Sequence, residues 1–170
     1  MSENKIRKIE ITAFIAACIL GVLFHFVYDW TGKNPAAAAF FPVNESTWEH
    51  LKLVFFPILI LSFREYFFLQ PSQRERFWQA KLASALTGMA LTVTLFYTYT
   101  GVYGKNVDFL NIMLYFLSMA AAYVLSYSWI NSGRKSILPE SVSFVCFLLL
   151  ILVFTIFTFY PPDIGLFREP

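Results

Sequence analysis

Five apolar blocks of about twenty residues constrain this chain more than any other feature. They cover about residues 11–30, 51–69, 82–103, 109–130 and 142–160. A hydrocarbon core about 30 Å thick needs roughly 20 mainly apolar residues at the 1.5 Å rise of a helix. Inside it no water bonds the backbone, so each block must satisfy its own N–H and C=O groups, as a helix does. The expected fold is an all-α integral membrane protein, a single transmembrane domain over residues 1–170. Its five spanning helices are expected over about 11–30, 46–69, 82–103, 109–130 and 142–160. Only 14% of residues are charged, against about 25% in soluble domains, which supports the same fold class.

The basic residues set the expected orientation. With the N-terminus in the cytoplasm, Lys5, Arg7, Lys8, Arg64, Arg74, Arg76, Lys81, Arg134 and Lys135 fall inside. Lys33, Lys52, Lys105 and Arg168 fall outside, and nine against four follows the positive-inside bias. The C-terminus is then extracytoplasmic, and a bacterial cytoplasmic (inner) membrane is the expected location. The basic residues are split among short connections, so nucleic acid is not an expected partner. The expected partners are the lipid bilayer and, as an option, a second copy of the chain. Cys18 and Cys146 sit in apolar blocks and read as buried free thiols. The stretch "IAAC" imitates a lipoprotein cleavage box, but Glu10 interrupts the apolar run before it and "ILGVLF" follows, which favours a retained first helix.

The faces of the helices can be read from spacing. Cys18, Gly21, His25 and Asp29 line one side of the first helix, a small and polar stripe expected to face the bundle. Ser84, Gly88 and Thr92 form such a stripe on the third, and Asn111, Tyr115, Ser118, Ala122 and Ser126 on the fourth. The fifth is nearly all Phe, Leu, Val and Ile, and is expected to be the most lipid-exposed. Between the first two helices, "NPAAAAFFP" is too apolar for a plain exposed loop and is expected to fold back against the outer leaflet. No repeat divides the chain into the matching halves of many transporters.

Most of the embedded ionisable residues share one depth, at the outer side. His25 and Asp29 lie near the end of the first helix. Glu45, Glu49 and His50 open the second, Tyr99 and Tyr103 end the third, and Asp108 and Asn111 begin the fourth. Ionisable groups in a membrane are costly and are functional candidates by default. At 100° per residue, Glu45, Trp48, Glu49 and Lys52 fall within about 100° of arc, with His50 on the opposite flank. Ser46 and Glu49 have capping-box spacing. At the other side, Glu10 and Arg64 are expected to pair.

The stretches "HFVYDWTGKN", "FFPVNESTWEHLKL", "YTYTGVYG" and "YPPDIGLF" resemble a family of small bacterial multi-pass membrane proteins known only as a domain of unknown function. The likeness covers nearly the whole chain, with Gly165 where a proline would be expected. It implies that Asn44, Glu45, Ser46, Trp48, Glu49, His50 and Lys52 match the family's signature positions, and it implies no activity.

Three functions fit these residues. The preferred one is a membrane-embedded, metal-dependent hydrolase acting on a lipid or amphiphile at an outward-facing polar cavity. Its expected divalent ion, zinc or a harder cation, is held by His25, Asp29, Glu45 and Glu49, with His50 and Glu49 as catalytic residues. Asn44, Ser46, Trp48, Lys52, Tyr99, Tyr103, Asp108 and Asn111 are expected to line the cavity. The alternatives are a proton- or ion-coupled small-solute transporter or channel, and a structural membrane protein. In the last, Ser46 and Glu49 cap a helix, Lys52 snorkels and Trp48 anchors at the interface. No serine-nucleophile elbow or phosphate-binding glycine loop is present.

Overall fold

The computed structural model describes residues 3–132, 137 and 139–170. Arg134 and Lys135, part of the charge count above, lie outside the described residues. Helices α1 (Glu3–Trp30), α2 (Pro35–Ala38), α3 (Thr47–Phe68), α4 (Pro71–Arg74), α5 (Phe77–Tyr103), α6 (Asp108–Asn131) and α7 (Glu140–Phe159) precede a 3-10 turn, Gly165–Phe167. No strand occurs among the described residues. Four helical stretches are long and apolar enough to cross a membrane: Asn4–Trp30, Pro71–Tyr103, Asp108–Asn131 and Glu140–Phe159. Helix α3 is not among them, because Glu49, Lys52, Arg64 and Glu65 break up its apolar run.

That helix is nevertheless the centre of the molecule. Fourteen of its 22 residues are buried, so it is enclosed on most sides rather than amphipathic. Helices α1, α3, α5 and α6 close a ring in which each touches the next. Helix α7 packs outside on α5, and its Phe147 and Phe154 reach Phe55 of α3 with ring centroids 5.9 and 5.2 Å away. It is the least buried of the four apolar helices. Outward faces such as Ile15, Ile19, Ile112, Leu117, Leu148 and Leu152 are apolar and exposed, a surface suited to hydrocarbon.

The small residues act where the helices come closest. Ser118, Ala122 and Ser126 are fully buried on α6, facing the ring. A Cβ on Gly88 would lie 2.9 Å from Val54 and 3.3 Å from Ala122, and one on Gly21 would overlap the Tyr115 hydroxyl. The missing side chain at Gly21 leaves room for that hydroxyl to approach the Ala17 and Cys18 carbonyls, at 3.4 and 3.3 Å. Cys18 and Cys146 are both free.

The charges at the α1 N-terminal end are paired differently from the expectation. Glu10 does not pair with Arg64. It lies with both carboxylate oxygens 3.0 Å from the Lys81 ammonium and accepts a 3.1 Å hydrogen bond from Ser126. Glu65 is 2.7 Å from the same ammonium. Four helices thus meet at one buried cluster, with the Tyr123 ring 4.7 Å from Nζ. The cause is that α5 begins at Phe77, which carries Lys81 inside the bundle. A fully buried ammonium needs counter-charges, and Glu10 and Glu65 meet it. Arg64 lies over the Phe68 ring at 5.6 Å.

Candidate metal and ligand site

At the other end of the ring, the start of α3 determines which side chains can meet. Ser46 caps the helix, its hydroxyl accepting from the Glu49 N–H at 3.4 Å. The reciprocal half of a capping box is replaced: the Ser46 N–H donates to Asn44 Oδ1 at 3.0 Å, and Glu49 accepts from the Val43 N–H at 3.0 Å. Helix α3 therefore begins at Thr47, and Glu45 stands before the cap, off the helical wheel.

This separates the two glutamates expected to share a site. Glu49 is 2% exposed and turns toward Lys52, 2.7 Å away, while accepting from the Thr158 hydroxyl at 2.8 Å. Lys52 does not snorkel: it is fully buried and donates to the Ala38 carbonyl at 2.8 Å and the Phe41 carbonyl at 3.3 Å. Those bonds hold the "PAAAAFF" connection folded back on the bundle, with Phe40 against Phe56 and Phe41 against Phe24. Glu49 and Lys52 thus tie α3 to α7 and to this connection, and neither faces the histidines.

Glu45 turns the other way. Its Oε1 lies 3.7 Å from His25 Nε2, and its Oε2 lies 3.4 Å from His50 Nε2. The two imidazole rings are 5.4 Å apart, and one ligand atom from each of the three residues falls within 4.8 Å of the others. Metal bonds of about 2.0–2.2 Å in a tetrahedron put ligand atoms about 3.4 Å apart. Both distances from Glu45 are near that spacing but run to different carboxylate oxygens, so holding an ion requires side-chain rotations that draw the three ligand atoms closer. His50 Nδ1 is 2.9 Å from the Ser46 carbonyl; donating its proton there leaves Nε2 as a lone-pair donor facing Glu45. Zinc suits two imidazoles and one carboxylate, with a fourth position left for water.

The cluster opens into a cavity of about 790 Å³ between α1, α3, α5 and α6. Among the expected residues, His25, Glu45, His50, Asp108 and Asn111 line it. Asp29 is exposed and outside the three-residue cluster. Several expected lining residues are placed elsewhere. Asn44 and Ser46 are spent on the helix cap, and Trp48 packs among Phe154, Phe157 and Phe167 rather than anchoring alone at an interface. Tyr103 is exposed beside Lys105, while Tyr99 hydrogen-bonds Asn111 and lies 3.0 Å from Asn106 Oδ1. Thr47, Asn106 and Glu169 line the cavity without having been singled out from sequence, and Thr92, read there only as part of a packing stripe, lines it too. Asn106 follows the α5 C-cap Gly104, whose positive φ of 75° turns the chain back toward the site; "YGKN" carried that turn signal.

The fold class is that of an all-helical protein with four helices fit to cross a membrane and a ligand-sized cavity at one end of its helix ring. The chain belongs to DUF6512, a family of unknown function whose model matches residues 1–170. No curated protein and no solved structure matches it.

Proposed function

We propose that this chain is a metal-dependent hydrolase of the bacterial cytoplasmic membrane, acting on a lipid or other amphiphile. In this reading five helices span the bilayer (α1, α3, α5, α6 and α7), with the N-terminus cytoplasmic, the C-terminus extracytoplasmic and the cavity outward-facing. One observation carries the proposal: His25, Glu45 and His50 converge from two helices and the segment before α3 at the mouth of a cavity.

His25, Glu45 and His50 would hold a divalent ion, which would supply a water with its pKa lowered toward about 7 and polarise a substrate carbonyl. That water's oxygen would add to the acyl carbon, and the bond to the departing oxygen or nitrogen would break. The departing group takes the water's proton through solvent at the open mouth. His50 is then a ligand rather than an acid or base, because its Nδ1 is committed to the Ser46 carbonyl. Glu49 is structural, because Lys52 and Thr158 occupy it.

A transporter is the second reading, favoured by the buried Glu10–Lys81–Glu65 cluster at the opposite end of the ring. The ring between the two ends favours the hydrolase, since buried Val54, Ile58, Met89, Met119 and Ala122 fill it with apolar side chains. The test is elemental analysis and zinc titration of the purified, full-length protein. One zinc per chain is expected, bound at least about tenfold more weakly by His25→Ala and by His50→Ala, and unchanged in Asp29→Asn. A chain that binds no zinc, or binds it equally well without either histidine, is not this hydrolase.

A further inference from the structure

The cavity has a chemical asymmetry that narrows what it can hold. Its mouth carries three carboxylates, Glu45, Asp108 and Glu169, and no lysine or arginine lines it among the described residues. Glu45 lies beside the two histidines, while Asp108 and Glu169 take part in no ion pair among the described residues. The inner part is apolar, lined by Leu53, Phe96 and Leu114. Val22 and Phe26 of α1, and Ile112 and Phe116 of α6, line the cavity and are 45, 46, 56 and 40% exposed. The accessible, apolar side of the cavity is therefore the seam between α1 and α6.

We propose that this cavity takes an amphiphile with a long acyl chain and a cationic, amine-bearing headgroup, entering sideways from the bilayer between α1 and α6. The chain lies against Leu53, Phe96 and Leu114, and the ammonium meets Asp108. A volume of about 790 Å³ is in the range of ligand sites, which run from roughly 300 to 1,000 Å³. An anionic headgroup would face the unpaired carboxylates with no lysine or arginine among the described lining residues to receive it, and like charges facing one another are a device for rejecting the wrong partner. The assignment rests on the amphiphile-binding part of the functional reading above, but it needs no metal.

Native mass spectrometry of the purified full-length chain, stripped of metal by a chelator, tests it. The probes are dodecyltrimethylammonium and dodecyl phosphate, offered in equal amounts. The cationic adduct should dominate. Asp108→Asn, an isosteric change at an exposed position, should weaken it by about fivefold, the upper range for a solvent-accessible charge pair. Leu114→Trp should reduce both adducts by filling the inner cavity, with thermal unfolding confirming that each variant folds. Preferential binding of the phosphate probe, or a cationic adduct indifferent to both substitutions, overturns the proposal. Because the protein is metal-free, cationic binding without any zinc stoichiometry in the earlier titration would retain this ligand class and remove the hydrolase.

Discussion

An ammonium taken out of water costs several kcal/mol unless counter-charges meet it, and Lys81 is met by two. Removing Lys81 leaves Glu10 and Glu65 buried beside one another with no cation between them, which is worse than losing a surface pair. Lys81→Met is therefore expected to destabilise the protein by about 3–5 kcal/mol. Adding Glu10→Gln and Glu65→Gln to that variant should recover most of the loss, since an uncharged cluster has no desolvated ion to stabilise. Thermal unfolding in detergent micelles measures both, and a single Lys81→Met as stable as wild type would mean the cluster contributes nothing. This pairing was not legible in the sequence. Lys81 precedes the apolar run at Leu82, so hydropathy assigns it to a basic loop, and only the early start of α5 brings it inside. The same limit applies to Glu45. One residue of helix boundary decides whether it shares a face with Glu49 or turns freely toward His25 and His50, and caps are where boundaries are hardest to place.

At the scale of whole helices, the spacing of small residues was legible, because the 3.6-residue period directly reports which side of a helix can approach another. Ser118, Ala122 and Ser126 are fully buried as their stripe implied, while the Cys18–Gly21–His25–Asp29 stripe passes from buried to exposed along α1. What the stripe could not show was how close each approach is. Gly21 and Gly101 look alike in sequence as helix glycines. Yet a Cβ at Gly21 would overlap the Tyr115 hydroxyl and lie 2.7 Å from the Leu53 carbonyl, and one at Gly101 would meet nothing within 4 Å. The two should respond to alanine with opposite sign. Gly21→Ala forces α1 away from α3 and α6 and should cost about 1–3 kcal/mol. Gly101→Ala only removes backbone freedom and should stabilise by about 0.5–1 kcal/mol. Unfolding of the two variants side by side provides the comparison, and equal shifts would show that the α1 contact is not tight.

The whole molecule turns on whether α3 crosses the bilayer, because α3 alone fails on composition. Its 22 residues span about 33 Å, enough for a core of about 30 Å. Its charges are also not scattered: Glu49 and Lys52 neutralise each other near one end, Glu65 meets Lys81 near the other, and Arg64, the exposed one, sits beside Glu65 at that end. Charges paired inside a bundle do not face lipid, so they weigh little against insertion although they lower the mean hydropathy. With Lys52 and Lys81 buried, the positive-inside comparison of nine against four becomes eight against three and keeps its sign. Five crossings with a cytoplasmic N-terminus place Ser72 inside and Pro170 outside. Four crossings, with α3 lying outside the bilayer plane, place Ser72 outside and Pro170 inside. A reporter active only outside the cytoplasm, inserted after Ser72 in one fusion and joined after Pro170 in another, therefore separates the two arrangements completely. Activity is expected from the Pro170 fusion alone. Activity from the Ser72 insertion alone would exclude the five-span arrangement proposed here, and the outward orientation of the His25–Glu45–His50 cavity would need to be derived again.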